Sequence, residues 1–262
     1  MVKEQRNTLT RFIDTNNKHL QFLADMPPVL GIHRAIENNG VDPDSGNDVN
    51  IFKSHLGKIF TSLINNYSNV FQVRMIDAHS GDELVRVDKY NNKIIEVKGA
   101  KLQNKRETDY FVETNKLAER GIYISEINLN RENGAIEFPI RPTIRFSTPL
   151  YDEKNSKFAI LVINVSPVEL FSELHAISQN KGAQFSLLDE VGNIVTHVQQ
   201  EYAFSKDLNP TLNWQNRYEI SPWQILVFTL TESYHRIVYI TVPRQRCIFL
   251  LRSTVGQLNL LL

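Results

Sequence analysis

"RGIYISEINLNRENGAIEFPIRPTIRFSTPLYD", residues 120–152, decides how the chain is read. It is too polar for a plain buried strand and too regular in its alternation for a loop. Arg131, Arg141 and Arg145 fall within fifteen residues, bracketed by prolines. Side chains alternate along a strand, so "TIRFSTPL" sets Thr143, Arg145 and Ser147 on one face and Ile144, Phe146 and Thr148 on the other. A guanidinium beside hydroxyls on a rigid sheet face suits a carboxylate or a phosphate. The same pattern suits a structural role in which the arginines pair with Asp77, Asp88, Glu132 or Glu137. Spacing alone leaves both readings open.

The flanking segments place this stretch in a sheet. "NVFQVRMIDAHSGDELVRVDKY" alternates with period two on both sides of a Ser-Gly-Asp turn, which predicts a hairpin. A turn centred on Ser80 puts Arg74 opposite Arg86 and Gln72 opposite Asp88; a bulge at Gly81 would shift that pairing by one residue. Like charges directly opposite each other destabilise a sheet, so an acid must offset them, and Asp88 is the internal candidate. "KFAILVINVS" is almost wholly apolar, which predicts a strand covered on both faces. "IYISEI" reads as a further strand, "LNRENGAIEFPIRP" as a long loop with an Asn-Gly turn, and "ETDYFVETNKLAERG" as a short helix ending at Gly121.

Helices lead into this sheet. Leu9, Phe12, Ile13, Leu20 and Leu23 repeat at helical spacing over residues 4–25. A second helix starts at the prolines of "MPPVLGIHRAIENNG" and stops at Asn39-Gly40. A third runs over about 48–66, with Ile51, Phe52, Leu56, Ile59, Phe60, Leu63 and Ile64 as its apolar stripe. Beyond the sheet, "SPVELFSELHAISQNKG" reads as a helix with Ser166 as N-cap and Pro167 in its first position. A smaller β unit follows: a hairpin in "AQFSLLDEVGNIVTHV" around Val191-Gly192, then strands in "RYEI" and "WQILVFTL". Trp214 and Trp223 read as core or rim residues of that unit.

Bulk properties narrow the function. The 262 residues carry 29 Lys+Arg against 29 Asp+Glu, with 42% hydrophobic content. A neutral chain without basic blocks argues against nucleic acid as a partner. One cysteine, Cys247, excludes an internal disulfide and a cysteine-based metal site. The seven histidines include no pair at i, i+3 or i, i+4, and no nucleotide-binding or hydrolase motif occurs. Asp82-Glu83 and Asp189-Glu190 read as turn chemistry. No catalytic residue, metal or cofactor is expected, and a hydrolase is the weakest of the readings. The N-terminus lacks the apolar run of a signal peptide, and arginines and Pro243 interrupt the apolar C-terminal stretch, so the chain as written reads as soluble.

Taken together, "FQVRMIDAHSGDELVRV", "LQNKRETDYF", "GIYISEINLNREN", "PIRPTIRFSTPLYD" and "FAILVINV" resemble the double Cache (tandem PAS-like) sensor domains of bacterial histidine kinases and diguanylate cyclases. With the leading helix and "MPPVLGIHRAIENNG" the resemblance covers about residues 5–235. It implies an α+β fold, in which a long N-terminal helix runs along two antiparallel-sheet units, membrane-distal and membrane-proximal. The expected divisions are a helical segment (1–66), a distal ligand-sensing unit (67–166), a connecting helix with a proximal unit (167–235) and a tail (236–262) that is not native to the fold or replaces a lost membrane span. The resemblance implies a pocket for a small anionic or zwitterionic ligand. Arg145, Arg141, Arg74, Arg86, Asp88, Tyr110, Phe111, Ser125, Asn128 and Ser147 are the candidate site residues, with Asn130 as a further wall residue. It also implies an extracytoplasmic location in a parent receptor whose membrane spans and output region are missing here. The alternative is a dimerisation and relay module that pairs through the N-terminal helix, with structural arginines.

Overall fold

A computed structural model describes residues 2–132, 134–182, 185–189, 192–213, 226–232, 235–242 and 245–251. The elements, in chain order, are α1 (Val2–Ala24), α2 (Pro27–Glu37), α3 (Val49–Asn66), β1 (Val70–Asp77), β2 (Glu83–Tyr90), β3 (Lys93–Val97), α4 (Asp109–Thr114), β4 (Tyr123–Ile124), β5 (Asn128–Leu129), β6 (Arg131–Glu132), β7 (Ala135–Ile136), β8 (Pro142–Tyr151) and β9 (Lys157–Val165). Then come α5 (Val168–Gln179), β10 (Phe185–Leu188), β11 (Ile194–His197), α6 (Ser205–Leu208), β12 (Leu226–Glu232), β13 (His235–Val242) and β14 (Gln245–Leu251). The expected α+β class is what the chain adopts. Among the described residues, no helix is long and apolar enough to cross a membrane.

The elements form two compact units. The larger comprises Leu9–Ser125 and Pro142–Glu169. Its sheet runs in the order β3-β2-β1-β9-β8-β4, with every pairing antiparallel. The central strand β9 is buried from Phe158 to Val165, as its unbroken apolar run requires. One face of the sheet is apolar: Val73, Met75, Val87, Phe146, Leu161 and Ile163 are all buried. That face packs on α3, whose buried stripe includes Leu56, Phe60, Leu63 and Ile64, and Phe12 of α1 meets Phe146 at 6.2 Å between ring centroids. α3 starts where Asp48 accepts a hydrogen bond from Asn50 N, an N-cap that satisfies one of the orphan donors of a helix start. The other face carries the polar side chains and is covered by α4.

The second unit comprises the described residues of Met1–Thr8, Glu126–Arg141 and Leu170–Leu262. Its five-stranded sheet runs β11-β10-β14-β13-β12, and β10 pairs with β14 in parallel. Leu170, Phe171 and Leu174 of α5 are buried, as are Phe185, Leu187 and Leu188 of β10, and Gln5 Nε2 donates to Ser178 Oγ at 2.8 Å. Asp207 of α6 accepts from Leu129 N at 3.2 Å and pairs with Arg131 at 2.8 Å, while Lys206 pairs with Glu126 at 2.9 Å. These contacts hold the Glu126–Arg141 excursion within this unit.

Several local expectations change. β3 has no separate reading in the sequence. The short helix expected through to Gly121 ends at Thr114, whose Oγ1 turns back to Tyr110 O, and the chain then proceeds in turns. The expected loop from Leu129 to Pro142 contains the β6–β7 hairpin, with Gly134 at a positive φ of 82°. α5 begins at Val168, one residue after Pro167. Residues 236–251, expected to be a tail, lie almost wholly within β13 and β14 of the second sheet. Trp214, Trp223, "RYEI", Glu190, Val191 and residues 252–262 lie outside the described residues.

Candidate functional site

The site grows from the register of the β1–β2 hairpin. Arg74 lies opposite Arg86 and Gln72 opposite Asp88, the pairing that the turn predicts. The turn needs a glycine at position 81: its φ is +82°, and a Cβ there would stand 2.7 Å from Arg106 N. The irregularity falls further along, where Met75 pairs with Val85 but Ile76 pairs with Glu83, so Leu84 is the extra residue of a bulge. The bulge matters because strict alternation from Arg86 would send Glu83 to the opposite face. With one residue extra, Glu83 joins the arginine face.

The Glu83 side chain is fully buried there. It meets Arg74 Nε at 3.1 Å and Arg86 Nη1 at 3.4 Å, and accepts a hydrogen bond from Gln103 N at 2.9 Å. Arg86 also binds Asp88, through Nε at 2.9 Å and Nη2 at 2.7 Å. The repulsion between the two opposed guanidiniums is therefore offset by two acids, and Glu83 is the one that touches both. The sequence reads Glu83 as turn chemistry; alternation gives no hint of a bulge.

The remaining residues of this face follow across the sheet in register. Gln72 pairs with Asn164 on β9, and Asn164 with Arg145 on β8. Arg74 lies level with Val162, Val162 with Ser147, and Ser147 with Tyr123 on β4. Gln72, Arg74, Arg86, Arg145, Ser147 and Asn164 are all buried. α4 closes the face. Arg74 Nη1 donates to Tyr110 Oη at 2.8 Å, and the Arg145 guanidinium carbon stands 5.7 Å from the centre of the Tyr110 ring. Two guanidiniums thus meet one phenol, one by hydrogen bond to its hydroxyl and one by a cation–ring contact. Thr114 and Ser147 share a hydroxyl–hydroxyl hydrogen bond, fixing α4 to β8. Ser125 Oγ accepts from Arg145 N at 2.9 Å. Beside this polar end, Phe111 and Tyr110 pack with Ile76, Tyr123, Ile160 and Val162. The result is a buried cationic end adjoining an apolar one.

The larger unit thus brings together Arg74, Arg86, Asp88, Tyr110, Phe111, Ser125, Arg145 and Ser147. Arg141, Asn128 and Asn130 belong to the second unit. There Arg141 lies 3.7 Å from Glu137, and Asn130 Nδ2 donates to Glu137 Oε2 at 2.9 Å. Sequence reasoning misses Glu83 and Asn164 as site residues. Asn164 has a visible signal, as the one polar residue within "FAILVINV". Among the described residues, no cluster of three His, Cys, Asp or Glu side chains is arranged to hold a metal ion.

A long leading helix, an antiparallel sheet with one polar and one apolar face, and a second smaller sheet define a sensor domain of the tandem-sheet class. The sequence profile of the family described as bacterial histidine kinase, sensor domain, matches residues 46–223, and the chain belongs to that family. This is a sensor family and not itself a catalytic one. Solved structures share the fold at low identity. The extracellular domain of a protein assigned as a histidine kinase, vpHK1S-Z8, is 17% identical, with a TM-score of 0.62 over 92% of this chain and 82% of its own. A domain of a protein assigned to the sensory box/GGDEF family from Vibrio parahaemolyticus is 15% identical, with a TM-score of 0.61 over 95% and 91%. The ligand-binding domain of the Campylobacter jejuni chemoreceptor Tlp3, in complex with 4-methylisoleucine, is 15% identical, with a TM-score of 0.54 over 91% and 81%. No curated protein sequence matches the chain significantly.

Proposed function

We propose that this sensor domain binds a small carboxylate-bearing molecule, anionic or zwitterionic, on the polar sheet face beneath α4. The observation that carries the reading is that Arg74 and Arg145 both meet Tyr110, one at its hydroxyl and one over its ring. Both guanidiniums are buried and both are held by neighbours, so the donors are ordered before a ligand arrives, which lowers the cost of binding. The fold neighbours point the same way: Tlp3 is solved with 4-methylisoleucine and with L-valine, and the Pseudomonas aeruginosa amino acid chemoreceptor PctC with GABA. The domain would stand outside the cytoplasmic membrane in a receptor and pass a ligand-dependent change to an output region. A ligand does so only through different affinities for two states.

The experiment is calorimetric titration with amino acids and small carboxylates, on the wild type and on Arg145→Ala. A hydrogen-bonded contact with a charged partner is worth about 1.5–3 kcal/mol, so Arg145→Ala should weaken a bound acid by roughly 10- to 150-fold and leave the circular dichroism spectrum unchanged. Unchanged affinity in the variant removes Arg145 from the site. Silence toward every acid favours a second reading, a relay or dimerisation module without a ligand. One observation supports that reading: Arg74 and Arg86 already share Glu83, and Arg86 also holds Asp88.

A further inference from the structure

α1 is buried along one line. Leu9, Ile13, Asn16, Leu20 and Leu23 follow one another at alternating four- and three-residue spacing, and all are buried. Four are aliphatic, and the central one is an amide. Asn16 is 1% exposed, and its Nδ2 donates to Phe12 O at 2.8 Å, within its own helix. Its Oδ1 is covered and accepts no hydrogen bond from the described residues. Turning the amide over would set Oδ1 against Phe12 O and leave a donor orphaned instead. The neighbours widen the defect. Around the helix, Asn17 lies about 100° to one side of Asn16 and His19 about 60° to the other. Asn17 Oδ1 and His19 Nδ1 are covered too, and neither makes a hydrogen bond to the described residues. His19 meets Tyr67 ring to ring, at 3.9 Å between centroids. One turn of α1 thus sets unpaired polar atoms across the width of its buried face. Its ends differ: Gln5 Nε2 donates to Ser178 Oγ at 2.8 Å, Gln21 Nε2 donates to Arg120 O at 3.3 Å, and Asp25, just past the helix, pairs with Arg120 at 3.2 Å.

Burying an unpaired polar atom is costly, and native folds keep few of them. Lifting this stretch off its seat returns all three atoms to water, so release regains part of what docking loses. We infer that α1 is a releasable element of the larger unit: residues 13–23 leave their seat together while the rest of that unit stays folded, and Asn16 sets how often they do. A ligand acts on such an equilibrium by binding the seated and released states differently. The equilibrium itself belongs to the chain alone and does not depend on the carboxylate reading above.

The test is residue-resolved hydrogen exchange on the 262-residue chain in increasing urea, with no ligand added. Leu9, Leu20 and Leu23 of α1 are as deeply buried as Leu56, Phe60 and Ile64 of α3, so burial alone predicts equal protection of the two helices. Release predicts that amides of residues 13–23 exchange about tenfold or more faster than those of residues 56–64, the scale of one unsatisfied buried group. Their exchange should also quicken with urea, because release exposes surface and fraying does not. Asn16→Leu should slow exchange over residues 13–23 by about tenfold. Equal protection of α1 and α3 in the wild type overturns the inference, and is the result expected if enclosed water satisfies the three atoms. Fast exchange without a urea slope overturns it as fraying. Unchanged exchange in a folded Asn16→Leu overturns the role of Asn16. If Asn16→Leu loses the fold, the wild-type comparison still decides.

Discussion

Glu83 shows how much a single side chain can settle on a buried sheet face. It faces two guanidiniums that the strand register forces together, and its side chain is closed off from solvent. Removing one partner of a buried ion pair leaves an uncompensated charge and typically costs about 3–5 kcal/mol. Glu83→Gln should therefore lower the free energy of unfolding by roughly 3 kcal/mol, read from the shift of a urea transition at constant slope. A shift near zero would mean that Asp88 alone satisfies both arginines. Reading the sequence residue by residue succeeds where chemistry follows from alternation. Arg74 against Arg86 and Gln72 against Asp88 need only the turn position. It fails at Glu83 because the bulge at Leu84 reverses the alternation, and neither residue type signals a bulge. Asn164 escapes for a different reason: the apolar residues around it dominate the reading of the strand.

At the scale of elements, periodicity carries most of the fold. α1, α3, β1, β2, β8 and β9 follow from spacing and turn residues. α4 does not reach its expected length, because Thr114 bonds to Tyr110 O and to Ser147 instead of extending the amphipathic pattern. The strands of the smaller sheet beyond β12 are hidden by the proline and arginines between and around them. α5 carries a testable feature of its own. His175 hydrogen-bonds Thr196 at 3.3 Å, stands edge-on to Phe185, and is held below its ordinary pKa by burial, with a further push from His197. A histidine depressed in the fold is protonated first in the unfolded chain. Stability is thus full well above about pH 6.5 and falls as pH drops through that value. The smaller unit should melt at a lower temperature at pH 5.5 than at pH 7.5, and His175→Leu should shrink the difference. An equal drop in the variant would assign the effect elsewhere in that unit.

On the scale of the whole molecule, two compact units predict two unfolding events. A ligand at about 100 times its dissociation constant adds roughly 2.7 kcal/mol to the unit that holds it. Scanning calorimetry should then show the transition of the larger unit rising by several degrees with a bound acid. A shift confined to the smaller unit would move the site off the sheet face described above. The tandem architecture is legible from the order of elements and from the family resemblance. The course of the boundary is not. The sequence reads as two consecutive stretches, 67–166 and 167–235, while the structure assigns Glu126–Arg141 to the smaller unit. No local pattern in a polar excursion says which compact unit it belongs to; that depends on partners such as Asp207, far along the chain.

The interleaving of the units also bears on how the protein is made. A ribosome delivers residues in order, and the larger sheet is complete once β9 has emerged. The smaller unit holds some of the earliest residues, yet its strand β10 waits for the central strand β14 to supply its parallel neighbour. Through that interval the first turns of α1 have no finished unit to join. The larger unit has to tolerate a half-built companion, which suits an order of assembly in which the arginine face forms first.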